Sequence, residues 1–165
     1  MKNLINIITI LLIAMSLQAQ VAGPKPPVTA PVRTVSEYNL SAGLGLNGYD
    51  PLSYFKEGGA KAKLGDVKIT LDYLGVKYNF SSLANLNLFK LKPAKYEPTY
   101  GGYCAFAMAS GSKVDIDPTL FTINGNRAHF FVSKRAKQNF DAKVKEFEIN
   151  ADKFWKQISG ESPRI

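Results

Sequence analysis

The sequence predicts an α+β fold: one small domain with two antiparallel β-hairpins and several short helices. Two strand-like pairs supply the hairpins, each closed by a turn dipeptide, Leu74-Gly75 in one and Asn124-Gly125 in the other. Each pair runs into a serine followed by apolar residues at helical spacing. Ten Phe, eight Tyr and one Trp in 165 residues supply the large side chains for a core.

Taken in order, the folded part is expected from Ser36. Gly43, Gly45 and Gly48 lead through Tyr49-Asp50-Pro51 to Leu52, Tyr54 and Phe55, a loop feeding a short apolar helix or turn before Gly58-Gly59. Residues 67–73 and 76–80 form the first hairpin. Ser81 or Ser82 then caps a helix to Leu91 with Leu83, Leu86 and Phe89 on one face, and Pro93 stops it. Residues 100–109 read as a tight turn opening a short helix that Gly111 ends. Residues 121–123 and 127–132 form the second hairpin. Ser133 caps a helix carrying Ala136, Phe140, Val144 and Phe147, and Asn150 starts a last one with Ala151, Phe154, Trp155 and Ile158 inward. The two hairpins echo each other: Tyr78-x-Phe80-x-Ser82 leads to Phe89 as His129-x-Phe131-x-Ser133 leads to Phe140.

The N-terminus reads differently. Lys2, an apolar run over 4–17 and the small Ala19 have the order of a secretory signal peptide, residues 1–19, with an apolar stretch too short for a spanning helix. Residues 20–35, with Pro24, Pro26, Pro27 and Pro31, read as an extended spacer. The domain is expected over 36–158, with a tail at 159–165. The protein is thus expected in the periplasm or secreted, without a stable membrane span once the signal is cleaved. Removing 1–19, which hold one Lys and no acid, takes the net charge from +8 to +7. The lysines are scattered through the chain without a block of like charges, which gives a solvated surface and no nucleic-acid partner.

Cys104 is the sharpest chemical candidate. A lone cysteine cannot form an internal disulfide, so it is either inert in the core or free and reactive. Following Gly101-Gly102 it falls at a helix start, where free N–H groups and the dipole favour a thiolate able to act as nucleophile or soft-metal ligand. His129, the single histidine, lies on the second hairpin and can complete a Cys/His pair; alternatively it is a structural residue of the strand. Two such ligands fall short of a structural zinc site. Asp115 and Asp117 alternate before Pro118 and suit either a hard cation or a turn, as Asp50 before Pro51 suits a turn. No Ser-His-Asp set and no phosphate or dinucleotide loop is present.

Several stretches occur in an order that resembles the YHS domain family, in particular its exported bacterial branch. They are Asn47-Gly48-Tyr49-Asp50-Pro51-Leu52-Ser53-Tyr54-Phe55, Tyr78-x-Phe80-Ser81-Ser82, Phe89-x-x-x-Pro93-x-x-Tyr96 and Tyr100-Gly101-Gly102-Tyr103-Cys104-Ala105. Asp117-Pro118, the Gly125 hairpin and Ala151-Asp152 with Trp155 extend the likeness, so that it covers about residues 37–158. The resemblance implies a small α+β unit, often joined to metal transporters or metal-dependent enzymes. It also implies metal-binding cysteines after the Asp-Pro and after the second strand, where this chain has Ser53, Ser81 and Asn85. The exported branch centres on Gly-Tyr-Cys, with selenocysteine in some members at the position of Cys104, which implies redox chemistry or soft-metal ligation there. The expected function is a non-enzymatic binding or accessory module for a transition metal ion or small ligand, centred on Cys104 with Tyr103 and His129. The alternatives are a thiol redox protein using Cys104, and a structural or protein-interaction domain whose cysteine is inert.

Overall fold

In β4 (Val76–Phe80), Val76, Tyr78 and Phe80 seat one face of the strand on the core, and on the other face Lys77 is exposed while Asn79 is buried. It pairs antiparallel with β3 (Asp66–Tyr73) across the Leu74-Gly75 turn. On its other edge it meets β2 (Leu44–Gly45) in parallel, and β2 pairs antiparallel with β1 (Leu40–Ser41), giving the sheet order β1-β2-β4-β3. β5 (Asp117–Asn124) and β6 (Arg127–Phe131) form a separate two-stranded sheet. With the helices between and after them, the chain is α+β. The computed structural model describes residues 33–162 and Arg164, so the expected signal peptide and most of the spacer lie outside the described residues. Among the described residues no helix is long and apolar enough to cross a membrane.

Ser82 caps α1 (Leu83–Leu91), its hydroxyl accepting the Asn85 N–H at 3.1 Å. Leu86 and Phe89 are buried, but Leu83, at the first helical position, faces solvent. Pro93 does more than stop that helix: it opens a second short one, α2 (Pro93–Tyr96), as its fixed φ and missing N–H allow. After α3 (Ala105–Met108), Ser133 caps α4 (Lys134–Ala142) by accepting the Ala136 N–H at 3.2 Å. The sequence reading puts the last break at Asn150; it falls at Lys143, whose φ of −147° interrupts the helix. α5 (Val144–Ser159) then runs unbroken through Asn150, because Phe147, Ala151, Phe154, Trp155 and Ile158 keep one continuous stripe against the core.

The echo between the hairpins extends to backbone register. Asp66 pairs with Phe80 and Thr70 with Asn79 across a bulge; in the second hairpin Asp117 pairs with Phe131 and Phe121 with Phe130 across the same irregularity. A serine-capped nine-residue helix follows each, ending at Lys92 in one half and Lys143 in the other with φ near −147°. Each β4-type strand also has a parallel neighbour, Leu44 beside Lys77 and Pro98 beside Ala128. Before each hairpin lies a Gly-Tyr pair that follows residues at positive φ: Leu46, Asn47 and Gly48 before Tyr49, and Tyr100, Gly101 and Gly102 before Tyr103. In this alignment Asp50 and Cys104 are equivalent.

The halves close on shared aromatics. Tyr54 packs edge-on to Phe121 and Phe130 at 4.9 and 4.8 Å, and Trp155 meets Tyr38 at 5.6 Å. Trp155 also lies over Gly101, where an added Cβ would meet its ring at 2.5 Å. Gly125 has nearly the same φ, +60° against +59°, and open space around it. Alanine at either position carries the left-handed backbone penalty, about 1–2 kcal/mol. Gly101→Ala is therefore expected to be less stable than Gly125→Ala by a further 1–3 kcal/mol or about that, the cost of overpacking. Urea unfolding midpoints of the two variants measure the difference.

Candidate functional site

Asp50 is fully buried, and its carboxylate collects donors from three parts of the chain. Oδ1 accepts the Leu52 N–H at 2.9 Å, the local turn an Asp before Pro makes. Oδ2 accepts the Ser81 N–H at 2.8 Å, the Ser81 hydroxyl at 2.7 Å and the Asn85 amide at 2.6 Å. Ser53 turns its hydroxyl to the Asp50 carbonyl at 2.7 Å. Ser53, Ser81 and Asn85, remote in sequence, are thus brought together around one acid. Ser81 and Asn85 satisfy the carboxylate, Ser53 bonds the main-chain carbonyl of the same residue, and none of the three supplies a thiolate for a soft metal.

Cys104 holds the equivalent place in the second half. Its N–H donates to the Val114 carbonyl at 2.9 Å, as that of Asp50 donates to Lys63. The positions matching Ser81 and Asn85 are Val132 and Ala136, which carry no polar side-chain atom. The residue opposite is a thiol in place of an acid, free and fully buried. It does stand at a helix start, the N-cap of α3, but that helix has only four residues and the sulfur is sealed from solvent. Tyr103 next to it is half-buried, and the Lys113 ammonium sits 5.6 Å from its ring centroid.

His129 is also fully buried, and it is turned to other partners. Cys104 pairs with Phe130 in a parallel bridge, and along a strand His129 and Phe130 project to opposite sides. The imidazole lies between Tyr100 and Phe140, with Nε2 2.7 Å from Glu148 Oε1 and Nδ1 2.9 Å from the Thr99 hydroxyl. Burial holds its pKa below the ordinary value; the Glu148 bond opposes that shift, and the Arg127 charge reinforces it. Nε2 thus faces the Glu148 carboxylate and Nδ1 the Thr99 hydroxyl, which itself donates to the Ala128 carbonyl at 2.5 Å. Arg127 in turn holds Asp152 through Nη1 at 3.1 Å and Nη2 at 2.5 Å, and its Nη2 donates to the Tyr100 hydroxyl at 2.9 Å. Burial works to raise the Glu148 pKa, but bonds from His129 and Asn124 and the Arg127 charge outweigh it, so the group stays below the usual carboxylate range.

Asp117 accepts the N–H and hydroxyl of Thr119 at 2.9 and 2.7 Å, a turn as the Asp-Pro spacing suggests. No group of three or more His, Cys, Asp or Glu side chains able to hold a metal ion occurs among the described residues. Comparison with protein-family models, with curated proteins and with solved structures gives no match. Glu97 and Glu148, which the sequence reading passed over, and Asp152, which it names only within the YHS likeness, are among the best-connected side chains in the fold. Their periodicity is that of ordinary exposed acids, and only the arginines they meet at long range mark them.

Asp50→Ala is expected to lower stability by roughly 3 kcal/mol or more, since it strands buried donors that each cost about 1–3 kcal/mol unpaired. Denaturant unfolding checks it. For His129 the sign follows from its lowered folded pKa: the unfolded chain takes up the proton first. The stability tied to the neutral ring is complete above about pH 6.5 and is lost as pH falls below that value. The wild-type melting midpoint is expected to drop between pH 7 and 5.5, and His129→Gln to flatten that segment. Stability tied to Glu148, whose folded pKa is lowered in part by the His129 bond, is lost only as pH falls through and below the ordinary carboxylate range.

Proposed function

We propose that this chain is an exported, non-enzymatic accessory domain of the YHS type, acting through its exterior, with Cys104 as a residue of its core. The observation that carries the reading is the meeting of Ser53, Ser81 and Asn85 at Asp50. Those are the positions at which the YHS resemblance calls for metal ligands, and their convergence supports the resemblance while their chemistry argues for a hydrogen-bonded centre in place of a metal. The internal bonding of His129 and the enclosure of Cys104 support a non-catalytic role. Export rests on the signal-like order of residues 1–19.

A second reading keeps a metal ion or small ligand, or thiol redox chemistry, at Cys104 with Tyr103 and His129. Its support is the position of the sulfur at the start of α3, just after the positive-φ turn at Gly101-Gly102.

Two measurements separate them. Iodoacetamide labelling followed by mass spectrometry is expected to leave Cys104 unmodified in the native protein and to label it in urea. Zinc and copper(I) titrations of wild type and Cys104→Ala are expected to coincide at negligible uptake, with the variant losing about 1 kcal/mol of stability. Rapid native labelling, or metal uptake that Cys104→Ala abolishes, establishes the second reading instead.

A further inference from the structure

Glu97 is the most enclosed acid pair partner in the fold, with a side chain 1% exposed, and two arginines from outside the expected domain limits converge on it. Arg33 meets it through both terminal nitrogens at 2.8 Å, and Tyr78 donates its hydroxyl at 2.9 Å. Arg164, beyond the Gly160 cap of α5, completes the cluster. Its Nη1 donates to the Pro98 carbonyl at 2.7 Å; its Nη2 donates to the Tyr38 hydroxyl at 2.9 Å and to Glu97 Oε2 at 3.2 Å, with Glu161 Oε2 at 3.5 Å.

Three of those acceptors, Tyr38, Glu97 and Pro98, belong to the body of the domain and not to the segment that carries Arg164. Arg33 and Tyr78 hold Glu97 in place independently of that segment. Withdrawing the Arg164 side chain alone, with Glu161 left bonded to Tyr38 and Arg33, therefore leaves a formed recess with one unbalanced negative charge among Arg33, Glu97 and Glu161. The carbonyl and phenolic oxygen beside it then lack their donor. Acceptors spread over two terminal nitrogens match a planar donor fork, which a guanidinium has and an ammonium lacks.

We propose that Tyr38, Glu97 and Pro98 form a guanidinium-binding slot, which the chain fills with its own Arg164 and which the arginine side chain of a partner polypeptide enters by displacing it. The Arg164 side chain then acts as a plug whose occupancy competes with that partner. The slot is separate from Cys104 and from the Asp50 centre, so the proposal stands apart from the function proposed above.

The test uses the full chain with Arg164→Ala, melted in methylguanidinium chloride and, at equal ionic strength, methylammonium chloride. The variant is expected to gain about 3 °C more from 50 mM methylguanidinium than from methylammonium, the shift given by a ligand at several times its dissociation constant. Wild type, its slot filled, is expected to respond alike to both salts, and adding Tyr38→Phe to the variant is expected to shrink the difference. If Arg164→Ala fails to fold unaided, refolding yield in the two salts gives the same comparison. Arg164→Lys, which keeps the charge without the fork, is expected to be less stable than wild type. Equal responses of Arg164→Ala to both salts, or Arg164→Lys as stable as wild type, overturns the proposal.

Discussion

A carboxylate cut off from water must find its hydrogen-bond donors in the protein, and at Asp50 that requirement organises the first half of the fold. Its donors come from the loop after Pro51, from the end of β4 and from the first turn of α1. Each is a separate structural element. The loop is therefore fixed to the hairpin, and Leu52, Tyr54 and Phe55 are delivered into the core from it. Tyr54 then reaches across to Phe121 and Phe130, so the anchoring of one half also positions its contact with the other.

The duplication makes Cys104 intelligible. The second half reproduces the turn, the returning strand and the capped helix but replaces each polar member of the Asp50 centre with an apolar or weakly polar one. A buried thiol needs no such set of donors, and a buried free cysteine behaves as a small hydrophobe. The same backbone frame thus supports two centres, one held by hydrogen bonds and one by packing. The features that made Cys104 look reactive in the sequence, its solitude and its place after two glycines, are properties of the frame. The glycines stand there because residues at positive φ precede the Gly-Tyr pair in both halves.

What was legible in the sequence depended on range. The hairpins, both serine caps and the start of α4 follow from turn dipeptides and capping residues, whose physics is local. The break at Lys143 was misplaced because Val144 and Phe147 fit the stripe of either helix, and only packing decides between them. Leu83 looked like a core residue because spacing does not show where a helix's first turn leaves the surface. The site was less legible still. Asp50 announces its turn to Leu52 but not its bonds to Ser81 and Asn85, and nothing near Glu97 points to Arg33 or Arg164.

The two halves also share a device built on a ring and an acid. Tyr78 and His129 occupy the same position in their hairpins, and each bonds to a glutamate, Glu97 or Glu148, at the same place beyond its capped helix. Each glutamate is flanked by an arginine, bidentate from Arg33 in one case and 3.7 Å away from Arg127 in the other. In both halves the segment after the break at Lys92 or Lys143 is thereby tied back to the returning strand of its hairpin. The difference lies in what completes the charge balance. Around Glu148 the arginine comes from β6 itself, so the unit closes on its own residues. Around Glu97 both arginines come from the flanks of the domain, so the first unit is finished only when those flanks dock. A buried pair is costly to break because the charge left behind has no water to replace its partner. The flanks are consequently bound into the stability of the first unit, and the contact that seals them is the one a competing guanidinium can imitate.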